Sequence, residues 1–150
     1  MPYHGALFYG QDIQCAWIGF MGIGCMIGMK GDVDGMILVI GGSYQGKTVF
    51  AEAISEQEQK AGKKGTIFLE FHAWIKECMK EDRNIEEELR EKLKQDPDQI
   101  IVCNELGCGV VPMDAFERSW REHTGRLTCE LAKQADAVYR VTCGIGTRIK

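Results

Sequence analysis

The sequence predicts a three-layer α/β fold with a mostly parallel sheet. Four short apolar runs have the length of buried strands, at residues 36–40, 66–69, 99–103 and 137–143. Each run is almost continuously hydrophobic, as expected of strands that are covered on both faces. Helical patterns lie between the runs, and strands that alternate with helices form parallel sheets with helices packed against them.

The helical patterns fall at residues 47–59, 73–80, 84–95 and 114–135. In the third, Ile85, Leu89 and Leu93 recur every four residues and form an apolar side, so its charges are expected to face solvent. The fourth begins with Asp114 and Glu117, a pair that resembles a capping box. Its larger apolar residues predict a stripe that packs in the core: Phe116, Trp120, Leu127 and Leu131.

Composition narrows the class of protein. A chain of 150 residues is long enough to bury one full core without metal or disulfide support. The net charge of −4 argues against nucleic acid as a partner, because such partners usually require a basic face. The seven cysteines include no C-x-x-C pair, which favours reduced thiols over a zinc or redox site. Cys103 and Cys143 lie in apolar runs and are expected to pack as small hydrophobic residues.

Residues 1–35 differ from the rest and are predicted to be an appendage to a domain at 36–150. They are rich in Gly and Met, and the apolar run 15–29 is shorter than a membrane span requires. The basic region of a secretory signal is absent. One interpretation is a misassigned start, with Met29 or Met36 as the true first residue; a weakly membrane-associating segment is the alternative.

The strongest motif is a phosphate-binding loop. Residues 41–48 read Gly41, Gly42, Ser43, Tyr44, Gln45, Gly46, Lys47, Thr48 and fit G-x-x-x-x-G-K-[ST] without a gap. Glycines let the backbone curl so that successive N–H groups converge on an anion, and the following helix adds its positive end. Lys47 is expected to bridge the β- and γ-phosphates, and Thr48 to place its hydroxyl on Mg²⁺. A strand before the loop and a helix after it predict a P-loop NTPase-like fold that binds a nucleotide.

Such a loop needs a carboxylate nearby that organises the metal. Glu70 ends the second predicted strand and Glu105 follows the third, so both would emerge at the edge of the sheet where the loop lies. Glu70 is the first candidate for Mg²⁺ or its waters, while Glu105 is open to a nucleotide-binding or a structural role. His72 is open to phosphate contact, proton transfer or packing, and His123 is expected to be exposed or packed on its helix.

The second half of the chain resembles the adenosylcobinamide kinase/adenosylcobinamide-phosphate guanylyltransferase family. Residues 104–112 are similar to its block N-E-x-G-x-G-x-V-P, and 144–150 to its terminus G-I-G-x-x-I-K. Between them, 120–126 and 131–138 resemble F-R-x-x-x-G-R and L-A-x-x-A-D-x-V. The phosphate loop and Ala51-Glu52 resemble the start of the family, G-G-x-x-S-G-K-[ST] then A-E, except that Gln45 stands where Ser is usual.

The resemblance implies a cytoplasmic enzyme that phosphorylates adenosylcobinamide with ATP or GTP and acts as a homo-oligomer, a trimer in known members. The family then transfers GMP through a histidine, but the stretch that carries this histidine is missing between Ile54 and Thr66. Kinase activity is therefore the leading hypothesis. A bifunctional enzyme that uses His72 or a partner's group, and a non-catalytic nucleotide- or corrinoid-binding protein, are the alternatives.

Overall fold

The computed structural model describes residues 35–150, which form a five-stranded sheet and four α-helices. The strands are β1 (Ile37–Gly41), β2 (Ile67–Phe68), β3 (Ile100–Asn104), β4 (Ala137–Thr142) and β5 (Ile145–Arg148). The helices are α1 (Lys47–Lys60), α2 (Phe71–Lys80), α3 (Ile85–Gln95) and α4 (Ala115–Gln134). Apart from Gly35, the predicted appendage at 1–35 lies outside the described residues.

The sheet has the order β2-β3-β1-β4-β5, with β1 at its centre. β1 pairs in parallel with β3 and β4, and its register sets Gly41 beside Asn104 and Ile40 beside Arg140. β5 runs antiparallel to β4 at one edge. The chain crosses from β3 over β1 to β4, so a crevice opens at the carboxyl end of β1, where ligands of open α/β sheets commonly bind.

Apolar residues cover both faces of the sheet, which confirms the predicted three-layer α/β fold. On one face, Phe50 and Ile54 of α1 pack against Val39, Val102 and Val141. The opposite face carries the second cluster, to which α2, α3 and α4 contribute; its fully buried large side chains include Leu38, Phe71, Ile75, Ile101 and Leu131. The sheet is therefore the buried centre of the fold, and the loops that follow its strands lie at its carboxyl edge.

The helix boundaries follow local signals. Asn84 caps α3 and Asp114 caps α4, each by accepting the backbone N–H of the residue three positions later. The predicted capping box on α4 is only half formed, because the Glu117 carboxylate pairs with Lys76 of α2 at 2.6 Å. The cap therefore also ties α4 to α2.

Three details differ from the sequence-based predictions. α2 begins at Phe71, two residues before the predicted start. Phe116 is only partly buried, and it is not part of the core cluster that holds Trp120, Leu127 and Leu131. Cys143 is exposed on the turn between β4 and β5, with φ 52°, and is not packed in a strand.

Within residues 35–150, no helix is long and apolar enough to cross a membrane.

Candidate phosphate-binding site

The predicted phosphate loop connects β1 to α1 at the carboxyl edge of the sheet, beside a cleft of about 350 Å³. Two side chains from other strand ends line the same cleft, Glu70 after β2 and Asn104 at the end of β3. The loop contributes the remaining lining: Ser43, Tyr44, Gln45, Gly46, Lys47, Thr48 and, from the first turn of α1, Val49. The strand order therefore brings together residues that are up to 61 positions apart in the sequence.

Two loop glycines are required by geometry. A Cβ at Gly41 would lie 2.4 Å from the carbonyl oxygen of Val141, so only glycine lets β1 pass this close to β4. Gly46 has φ 83° and forms the N-cap of α1 without a side chain. The first-turn N–H groups of a helix have no partners within the helix, so this turn is suited to receive an anion.

The ammonium group of Lys47 lies under the loop. Its Nζ donates a hydrogen bond to the carbonyl oxygen of Gly42 at 2.6 Å, and the residue is buried. Burial lowers the pKa of Lys47, an effect that the carboxylates of Glu70 and Glu105 oppose through their negative charge. A cation in this environment is stabilised further by any phosphate that enters the cleft.

Glu70 has an unusual backbone conformation. Its φ of 53° and ψ of 40° place a non-glycine residue in the left-handed region at the N-cap of α2, where its side chain does not cap the helix. Its carboxylate is largely exposed and lies 3.3 Å from His72 Nε2. Strained conformations of this kind persist where the surrounding structure enforces them, and they concentrate at functional sites.

His72 lies behind the cleft, buried between Glu70 and Asn104. Its Nδ1 accepts from the backbone N–H of Asn104 at 3.5 Å, and its Nε2 is 2.8 Å from the Asn104 side-chain amide. With Nδ1 as the acceptor, a neutral ring carries its proton on Nε2 and donates it to Glu70. The Asn104 amide is then oriented with its oxygen toward Nε2, because two N–H donors do not face each other at 2.8 Å. Burial lowers the pKa of His72; the charge of Glu70 opposes this shift and the charge of Lys47 adds to it. The lowered pKa favours the neutral ring.

Helix α4 fixes the position of His72. The indole N–H of Trp120 donates to the backbone oxygen of His72 at 2.7 Å, and the two rings stack with centroids 6.2 Å apart. Lys76 covers the indole at 4.1 Å from the ring centroid. Beneath the site, burial raises the pKa of Cys103 to about 11, so this thiol packs as a small hydrophobic group, as predicted.

Glu105 anchors the loop and is not among the residues that line the cleft. Its backbone N–H donates to the carbonyl oxygen of Gly41 at 2.9 Å, and its carboxylate lies 3.1 Å from a guanidinium nitrogen of Arg140. The structure thus brings Lys47, Thr48 and Glu70 to one cleft, with His72 behind it and Glu105 at its base. His123 is exposed on α4, where it hydrogen-bonds to Ser119.

Sequence reasoning did not name Asn104 as a site residue, and it placed Gln45 in the phosphate loop without the contact that this side chain makes. Asn104 links the loop to His72, since its side-chain amide also lies 3.4 Å from Ser43 Oγ. Gln45 accepts the backbone N–H of Cys143 with its side-chain oxygen at 2.6 Å. The position of Asn104 at the end of a strand next to β1 was an available signal, whereas nothing in the sequence indicates the contact of Gln45.

The oxygen atoms in the cleft suit a hard cation. Mg²⁺ prefers carboxylate and hydroxyl oxygens, together with substrate phosphates and waters, and it rarely uses a cage built only of protein ligands. Thr48 and Glu70 supply such oxygens in the lining of the cleft. Among residues 35–150, no group of three or more His, Cys, Asp or Glu side chains could hold a metal by itself, and a magnesium site of this kind does not need one.

Another cleft of about 350 Å³ lies where the start of α3 meets α4, lined by Arg83, His123 and Arg126 among others. Its cations are already engaged: Arg83 pairs with Glu81 and Glu88, and Arg126 with Glu122. The phosphate-loop cleft is therefore the better candidate, because it combines a buried cation with backbone donors at a helix start.

The mostly parallel sheet and the loop between β1 and α1 are those of an α/β protein with a P-loop NTPase-like fold. The family described as "CobU: Cobinamide kinase / cobinamide phosphate guanyltransferase" matches residues 60–149. This match covers more than half of the chain, and the protein belongs to that family. The phosphate loop precedes the matched segment.

Two curated relatives are similar over part of their length. The chain is 43% identical over 51 residues to the "Bifunctional adenosylcobalamin biosynthesis protein CobU" of Salmonella typhimurium strain LT2. It is 41% identical over 51 residues to the protein of the same name from Escherichia coli strain K12. In both cases the similar segment is 34% of this chain and spans only 28% of the relative.

Proposed function

We propose that the protein is an enzyme of cobalamin biosynthesis that phosphorylates adenosylcobinamide with ATP or GTP. The observation that carries the proposal is the cleft in which the buried Lys47, the loop amides and Glu70 converge. Membership of the cobinamide kinase / cobinamide phosphate guanyltransferase family supplies the substrate class. The part shared with the curated relatives is short, so the activity rests mainly on the chemistry of the cleft.

In this proposal the loop 41–48 holds the nucleotide phosphates. Its N–H groups and the start of α1 receive the phosphate oxygens, and Lys47 moves from the Gly42 carbonyl to the β- and γ-phosphates. Phosphoryl transfer needs little covalent chemistry from the protein, so positioning and charge supply most of the rate enhancement. A cation that is already desolvated in the free protein suits that task.

Thr48 and Glu70 would hold Mg²⁺ in this cleft. Bound there, the ion would neutralise charge on the transferring phosphoryl group. His72 would act on Glu70 as a positioning residue, because the imidazole N–H fixes the carboxylate and Trp120 fixes the imidazole. This role uses the neutral ring that burial favours.

Guanylyl transfer through a histidine is not part of the proposal. Covalent transfer needs an imidazole nitrogen in line with the α-phosphorus. Of the two histidines in residues 35–150, His123 is exposed on α4 and His72 lies behind Glu70 and Asn104. Incubation with α-labelled GTP, denaturation and mass analysis would detect a GMP adduct. We expect none, and an adduct on His72 would favour the bifunctional enzyme.

The kinase activity is tested by incubating the protein with adenosylcobinamide, Mg²⁺ and γ-labelled ATP or GTP. Label in the corrinoid product supports the proposal. Nucleotide binding without transfer to the corrinoid would instead identify a non-catalytic binding protein. We further expect a cytoplasmic homo-oligomer, with the trimer of known family members as the first candidate. Light scattering measures the number of subunits directly.

A further inference from the structure

Gln45 ties the phosphate loop to the turn between β4 and β5. Its side-chain oxygen accepts the Cys143 N–H at 2.6 Å, and its backbone oxygen accepts the Gly144 N–H at 2.9 Å. We call this pair of contacts the Gln45 clasp. It joins residues that are 98 positions apart in the sequence, and one of its two bonds depends on the glutamine side chain.

The turn held by the clasp is itself firmly placed. Cys143 and Gly144 both have positive φ, at 52° and 79°, which produces a tight reversal between two paired strands. Directly after it, β5 passes so close to α1 that a Cβ at Gly146 would lie 2.1 Å from the ring of Phe50. The turn is thus fixed to the sheet and to α1 before the loop contacts it.

The clasp acts at the part of the loop that must receive phosphate. Gln45 immediately precedes Gly46, and a Cβ at Gly46 would lie only 3.2 Å from the Cα of Gly144. The turn therefore contacts the loop at the residue that immediately precedes α1. A loop held in its binding conformation before the ligand arrives loses less conformational entropy on binding.

We propose that Gln45 is a positioning residue for nucleotide binding, which holds the phosphate loop against the β4–β5 turn in its anion-binding shape. Gln45 stands where the family that the chain resembles usually has serine. A serine side chain is too short to accept the Cys143 N–H as the glutamine does. The ligand class rests on the proposed function, whereas the clasp itself can be measured without any ligand.

The first test follows the amide hydrogens by NMR in the absence of ligand. The variant Gln45→Met keeps the length of the side chain but lacks its oxygen acceptor. The Cys143 amide should exchange about 5-fold faster or more in this variant, as loss of one net hydrogen bond predicts. The Glu105 amide, which donates to Gly41, serves as the internal control and should be unchanged. Gln45→Glu retains an acceptor oxygen and should restore the protection of Cys143.

The second test compares the affinities for ATP and GTP of wild type, Gln45→Met and Gln57→Met. Gln57 lies on α1 outside the phosphate loop and is exposed, so the same replacement there is the matched control. Gln45→Met should weaken nucleotide binding about 3- to 10-fold, with the turnover rate at saturating nucleotide close to wild type. Gln57→Met should retain the affinity of wild type.

The outcomes separate the two proposals. Unchanged Cys143 exchange in Gln45→Met, or unchanged affinity where wild type binds normally, would overturn the clasp and leave the proposed function standing. A wild-type protein that binds neither ATP nor GTP would overturn the proposed function and, with it, this role of Gln45.

Discussion

The buried ammonium group of Lys47 gives the most direct residue-scale prediction. Lys47→Ala should lower kcat/KM by roughly 100- to 1000-fold, because a positioned charge on a transferring group commonly contributes that much. The fold should survive, since the hydrogen bond that Nζ donates within residues 35–150 is to a loop carbonyl and not to the core. Lys60→Ala, in the last turn of α1, is the matched control and should keep full activity. Wild-type turnover by Lys47→Ala would show that the loop is not the site.

His72 predicts a pH dependence of stability. Burial lowers its pKa in the folded protein, so folding favours the neutral ring. The stability contributed by that ring is complete above the unfolded pKa of about 6.5 and is lost as the pH falls through the lowered folded value. In urea denaturation from pH 8 to pH 5, wild type should therefore lose stability relative to His72→Phe.

The control for this experiment is His123→Gln, which removes an exposed imidazole. This variant should follow the pH profile of wild type. If the difference between wild type and His72→Phe were constant across the pH range, the ring of His72 would not be held neutral by its surroundings.

At the residue scale, the sequence predicts those site residues that a local motif specifies. The loop and Glu70 are recognisable because each follows an apolar strand at the edge where such loops bind. The contacts of His72 with Asn104 and of Gln45 with Cys143 span 32 and 98 positions. They arise from strand order and from the exact placement of a turn, which no local pattern encodes.

At the scale of elements, the cap of α4 can be tested separately from the site. Asp114 accepts the Glu117 N–H at 2.9 Å, and Asp114→Ala should reduce the free energy of unfolding by about 1 kcal/mol. Glu91→Ala, an exposed acid within α3, should change it by less than about 0.5 kcal/mol. Chemical denaturation measures both, and equal losses would show that the cap bond adds nothing.

The strands show why some elements were predicted and others were missed. β1 and β3 are buried on both faces, and β4 is buried over its first three residues, so their apolar runs identify them. β5, with the sequence Ile-Gly-Thr-Arg, is an edge strand that is mostly exposed and gives no such signal. β2 is reduced to two paired residues, and the apolar run around it overstates its length.

At the scale of the whole molecule, a chain that begins at Met36 should fold and bind nucleotide as the full chain does. Met36 is buried, its carbonyl oxygen accepts the Asp136 N–H at 2.9 Å, and β1 begins at the next residue. Circular dichroism and nucleotide titration of the shortened protein check this. Loss of cooperative unfolding would mean that residues 1–35 contribute to the core.

The central claim, that nucleotide held by the phosphate loop phosphorylates a corrinoid, is tested most directly by one transfer measurement. Purified protein is mixed with adenosylcobinamide, Mg²⁺ and γ-labelled ATP or GTP, and label in the corrinoid is followed over a single turnover. We predict that label appears with wild type and falls at least about 100-fold with Lys47→Ala. Absence of labelled corrinoid with either nucleotide, from wild-type protein that binds both, would contradict the account.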